Sequence, residues 1–139
     1  MVHALREAHR VLKAEGLLID LRPGPAHRRV GRLPRSGRWS LIAAMKEDLD
    51  DDRAANAAVK TVIRQRLFRR AAFATVDLRR HIGSLSAFRT WLEEFSTFGA
   101  FPPHEWMFQK VQAALAEASR STKIVVRGPL EMRVLKKLP

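Results

Sequence analysis

His3–Pro23, HALREAHRVLKAEGLLIDLRP, decides how the rest of this 139-residue chain is read. Ala4, Leu5, Ala8, Val11 and Leu12 recur at the spacing of one helical face, with Arg6, Glu7, Arg10 and Lys13 opposite. Gly16 supplies a residue able to take the left-handed conformation that commonly ends a helix. Leu17, Leu18, Ile19 and Leu21 then form an apolar run without alternation, the pattern expected of a strand covered on both faces. Helix, tight turn and buried strand make one αβ step of a doubly wound sheet.

Composition bounds the answer. With 139 residues, 46% hydrophobic, three Trp and seven Phe, the chain has the length and apolar content of a single domain over residues 1–139. No apolar run approaches the roughly 18 residues of a membrane span, and the first residues lack the pattern of a secretion signal. A cytoplasmic protein without a membrane partner is expected. The lack of Cys excludes disulfides, thiolate chemistry and cysteine-bound metal. The formal charge of +12 is unevenly placed along the sequence. Arg22, Arg28, Arg29, Arg32, Arg35, Arg38 and Lys46 occur between Leu21 and Lys46 without one acid, and Glu47–Asp52 then carries five acids in six positions. Such a surface attracts polyanions. The alternative is an arginine-rich composition spread over ordinary solvated faces.

Three segments follow from these signals. Residues 1–23 hold the helix and buried strand. Residues 24–46 form a basic excursion, read as a loose hairpin with runs at 29–33 and 39–42 around Pro34-Arg35-Ser36-Gly37. Residues 47–139 carry helices and the last strands. An acid-capped helix holds Ala55, Ala58, Val59, Val62 and Ile63 on one face, and a strand covers Ala71–Ile82. A helix capped by Ser84 or Ser86 leads to an apolar linker, Thr97–Pro103, and a further helix. The chain closes with one long strand kinked at Gly128-Pro129, because Pro makes a poor two-residue hairpin turn. The fold class expected is α+β (partial α/β), with a three- to four-stranded mixed sheet.

The matching residues Ala4, Leu5, Glu7, Ala8, Arg10, Val11, Leu12, Lys13, Gly16, Leu18 and Asp20 also carry a family resemblance. This stretch resembles the segment that closes the cofactor-binding sheet of class I S-adenosylmethionine-dependent methyltransferases, with Ala14-Glu15 in place of the usual Pro-Gly. The family's strand order, 3-2-1-4-5-7-6 with the seventh strand antiparallel, implies that Leu17–Arg22 is similar to the fifth strand. Ala72–Ile82 and Ile124–Leu138 then match the sixth and seventh, and the intervening helices are an insertion. The glycine-rich GxGxG loop and the acid that holds the cofactor ribose belong upstream in that family, and none of the seven glycines here forms a GxGxG. The resemblance therefore implies the C-terminal half of such a sheet, non-catalytic alone. The alternative is part of an active S-adenosylmethionine-dependent methyltransferase, completed by an earlier start or by a partner in trans; S-adenosylmethionine would be a cofactor only with that cofactor-binding half. A strand placed at an edge by a missing neighbour must be covered, so Leu17, Leu18, Ile19 and Leu21 are the expected interface, in a homodimer or with a partner supplying the missing half.

Candidate chemistry is sparse. His3, His9, His27, His81 and His104 are scattered, and no HExxH or GxSxG occurs. No catalytic residue and no metal ligand is assigned; Asp50-Asp51-Asp52 reads as a helix start, not a cation site. Asp20 and Arg22 fall where the family lines its substrate pocket, with a strand-terminal ion pair as the plainer reading. They join Arg28, Arg29, Arg32, Arg35 and Arg38 as the candidate substrate- or polyanion-binding set. Trp39 beside these arginines suggests a nucleic-acid-binding module as the rival function, although no RNP, KH or zinc-finger signature accompanies it. Trp91 and Trp106 are read as core.

Overall fold

The computed structural model describes residues 1–96, 104–118 and 121–139. In chain order the elements are α1 (Val2–Val11), β1 (Leu17–Pro23), β2 (Arg29–Leu33), β3 (Ser40–Ala44), α2 (Asp50–Arg64), β4 (Phe68–Ile82), α3 (Leu85–Ser96), α4 (His104–Ala116) and β5 (Lys123–Lys137). The class is α+β. The sheet has five strands rather than three or four, because the hairpin of the basic excursion forms in full. Its turn is closed by Gly37 N–H donating to Pro34 O at 2.9 Å, with Gly37 at φ +91°, where an L side chain would be strained. The pairs β1–β5, β2–β5 and β2–β3 all run antiparallel, so the expected mixed sheet is corrected to an antiparallel one. β4 also pairs with β5, off this strand order. Gly128 and Pro129 lie inside the unbroken β5, between the residues that pair with β2 and those that pair with β1, where the missing Pro N–H removes no bond to either strand. The Thr97–Pro103 linker lies outside the described residues. Among the described residues no helix is long and apolar enough to cross a membrane.

The chain folds as two compact units. The first comprises Met1–Pro25, Leu49–Val76 and Pro129–Pro139. Its core joins Leu5 of α1, Ala58, Val59 and Val62 of α2, Phe68 of β4 and Leu135 of β5, with Leu18 packed against them. Three Asp in the first turn of α2 face the positive end of the helix dipole. Leu138 N–H donates to Leu67 O at 3.0 Å and Lys137 N–H to Gly16 O at 2.8 Å, which fixes the end of β5. The left-handed residue after α1 is Glu15, at φ +64°, and not Gly16 as expected. Gly16 is required for a different reason: a Cβ there would stand 2.8 Å from Lys13 O.

The second unit comprises Ala26–Asp48 and Asp77–Gly128. Val30, Met45, Phe88, Trp91, Val111 and Ile124 are among the side chains of its core. Ser84 caps α3, its Oγ accepting from Ala87 N–H at 3.1 Å. The hairpin base is pinned by Met45 N–H to Arg28 O at 2.8 Å and Glu47 N–H to His27 Nδ1 at 3.1 Å. A register shift between Val30 and Gly31 marks a bulge. The Trp39 ring crosses Gly31 there so closely that a Cβ would stand 2.4 Å from it. Trp91 is buried, but Trp106 is 38% exposed and so is not core; Lys46 and Lys110 stand 5.6 and 5.3 Å from its ring.

Candidate functional site

In the first unit, the four expected interface residues divide between two sides of β1. The register sets Leu17 opposite Lys136, Ile19 opposite Val134 and Leu21 opposite Met132. Leu18 lies opposite Leu135, on the core side. Directly opposed residues share a face, so Leu17, Ile19, Leu21 and Met132 form one side. The first three are 56, 65 and 59% exposed. The expectation of a strand covered on both faces is therefore corrected: β1 buries only alternate residues. It also ends the strand order, with β5 its one strand neighbour among the described residues.

The other side of β1 carries charge. Asp20 accepts from Arg22 Nη2 at 2.6 Å and from Arg133 Nη1 at 3.2 Å, and Arg133 also pairs with Glu131. All four side chains are more than four-fifths buried. Two arginines and two carboxylates balance, and such a network is costly to break by removing one member. Nε and Nη1 of Arg22 are buried with no partner among the described residues. Asp20 and Arg22 are thus brought together as an ion pair in the first unit, whereas the hairpin arginines with which the sequence grouped them belong to the second.

Those five arginines belong to the second unit, and most have internal acceptors or ring contacts. Arg28 pairs with Glu47 and lies 4.5 Å from the Phe95 ring centre. Arg32 donates to Ala114 O at 3.2 Å and Ser40 Oγ at 3.3 Å. Arg29 and Arg127 stand 5.8 and 4.8 Å from the Trp39 ring, whose Nε1–H donates to Val125 O at 3.4 Å. Trp39 is a packed side chain, not an open platform for a base. Arg127 also donates to Asp77, which accepts from Arg79 at 3.2 Å as well. The hydrogen bond from Arg127 is the main reason the Asp77 carboxyl titrates below the usual carboxylate range; Arg79 adds to it and burial opposes it.

Arg35 and Arg38 remain exposed. Arg35 lines a cleft of about 630 Å³ together with His81, Lys123 and the glycines Gly37 and Gly83. Sequence reasoning missed His81 and Lys123 as companions of Arg35. They are 42 residues apart, and only the strand pairing joins them: β2 ends with Leu33 opposite Lys123, and β4 delivers His81 near its own end. Among the described residues, no side chain lining that cleft is a carboxylate. Among the described residues no group of three His, Cys, Asp or Glu could hold a metal ion.

No protein-family model matches the chain, and no curated protein or solved structure is significantly similar to it.

Proposed function

We propose that this chain is the C-terminal, substrate-side part of a methyltransferase-like fold, non-catalytic alone, whose work is assembly with a cofactor-binding half. The sequence resemblance gives one support: the family's seventh strand pairs with both the fifth and the sixth, and β5 pairs with both β1 and β4, as well as with β2. The observation that carries the reading is β1 itself. It ends the strand order and turns Leu17, Ile19 and Leu21 outward. A strand laid beside it and a layer laid over it would cover both features at once, and the cofactor-binding half of that sheet would bring both. S-adenosylmethionine would be held by that half.

A second copy is the other occupant that the residues allow. A two-fold axis through Ile19 sets Ile19 against its counterpart and Leu17 against Leu21, a self-complementary apolar stripe. Two chains of charge +12 repel, so such pairing would strengthen with salt. The nucleic-acid reading has less support, because Arg28 and Arg32 already have internal acceptors and Trp39 is packed.

Calorimetry with S-adenosylmethionine tests the proposal: the chain alone gives no saturable heat, and saturable binding would refute it. Light scattering over a wide concentration range separates the two occupants. A stable dimer that Ile19→Lys dissociates would assign the edge to a second copy instead of a cofactor-binding half.

A further inference from the structure

The cleft at the hairpin tip is unused by the assembly reading, and its chemistry is one-sided. The turn Pro34–Gly37 raises Arg35 two residues beyond Leu33, and Leu33 is paired with Lys123 at the start of β5. His81, one residue before the end of β4, completes the lining. Arg35, Lys123 and His81 are all exposed. Among the described residues, a Cβ added at Gly37 or Gly83 would meet nothing within 4 Å. At about 630 Å³ the cleft lies within the range of small-ligand sites.

The geometry points to a phosphate-binding cleft, with Arg35 and Lys123 as the charged donors and His81 as a third polar group. A guanidinium offers paired N–H groups to two phosphate oxygens, and an ammonium adds a compact charge. Among the described residues the lining holds no carboxylate that would repel the ligand. The phosphate can belong to a small phosphorylated molecule or to a nucleic-acid backbone; both present the same oxygens. This inference does not depend on the methyltransferase-like reading, since no residue named in the cleft lining belongs to β1.

Titration with inorganic pyrophosphate, followed by amide shifts in the full chain, tests it. Saturable shifts are expected at residues 33–37, 81–83 and 121–123. Arg35→Gln, at an exposed turn, should weaken binding by about tenfold, as loss of a charged hydrogen bond does. Lys123→Gln should act similarly, and Arg38→Gln, exposed but outside the lining, should leave the affinity unchanged. A short oligothymidylate forms the second arm. Parallel weakening of it by Arg35→Gln identifies backbone phosphate as the source; pyrophosphate binding without that parallel identifies a small phosphorylated ligand. Absence of saturable shifts in those segments, or equal weakening by Arg38→Gln, overturns the proposal.

Discussion

The sidedness of β1 yields a measurable contrast between two residues of the first unit. Leu135 is fully buried in the core shared by α1 and α2, whereas Ile19 is 65% exposed. Leu135→Ala removes buried methyl groups and leaves a space, a change that costs about 3–4 kcal/mol. Complete burial of an aliphatic side chain contributes about 1.5–3 kcal/mol. Ile19 hides only about a third of its surface, so Ile19→Thr, which keeps a β-branched residue in the strand, costs about 0.5–1 kcal/mol. Urea unfolding followed by far-ultraviolet circular dichroism at low micromolar protein should therefore separate the two variants by at least about 2 kcal/mol. Equal destabilisation under those dilute conditions would refute the assignment of Ile19 to an uncovered side. If the gap narrows as protein concentration rises, the outer side of β1 is being buried by association.

Two further outcomes follow from the second unit. Gly31→Ala places a Cβ 2.4 Å from the Ser40 carbonyl oxygen and 2.4 Å from the Trp39 ring, neither of which can yield cheaply. It should cost about 1–3 kcal/mol in thermal or urea unfolding and shift the tryptophan emission; unchanged stability would show that the bulge relaxes freely. Asp77 has its carboxyl pKa lowered on folding, so its contribution is fully present above the ordinary carboxylate value and is lost as pH falls through the lowered one. Urea midpoints compared between the parent chain and Asp77→Asn should thus differ most near neutrality and converge in acid. A difference that stays constant through that range would mean Arg127 does not hold the carboxylate in solution.

Much of the architecture was legible because its signals are local. Periodic apolar positions located α1 and α2, Ser84 or Ser86 was expected to cap α3 and Ser84 does so, and the poor turn chemistry of Gly128-Pro129 correctly favoured one long final strand. Even the weakly patterned hairpin formed where the Pro34–Gly37 turn placed it. The misreadings were non-local. Leu17, Leu18, Ile19 and Leu21 lack the alternation of a half-covered strand, and their apolarity does not tell which side lacks a cover. Gly16 invited a left-handed assignment, yet the close approach of Lys13 O explains it. The arginines of residues 22–38 were grouped by adjacency in sequence. Their partners come from far along the chain: Arg32 finds Ala114 and Arg22 shares Asp20 with Arg133. For the same reason the basic cleft was invisible, since its members meet only through strand pairing.

The position of β5 in the chain also determines when the sheet can form. β5 is the neighbour of β1, of β2 and of β4, yet it is the last strand in chain order. During synthesis the β2–β3 hairpin can close at once from nearby residues, whereas β1 must wait for partners more than a hundred positions later. Pairing at such separation requires costly loop closure and slows folding. Until residues 123–137 emerge, β1 remains an unpaired apolar segment, the kind of species that chaperones recognise. A nascent chain halted before Lys123 should therefore aggregate, and release of the last strand is the step that commits it to the native sheet.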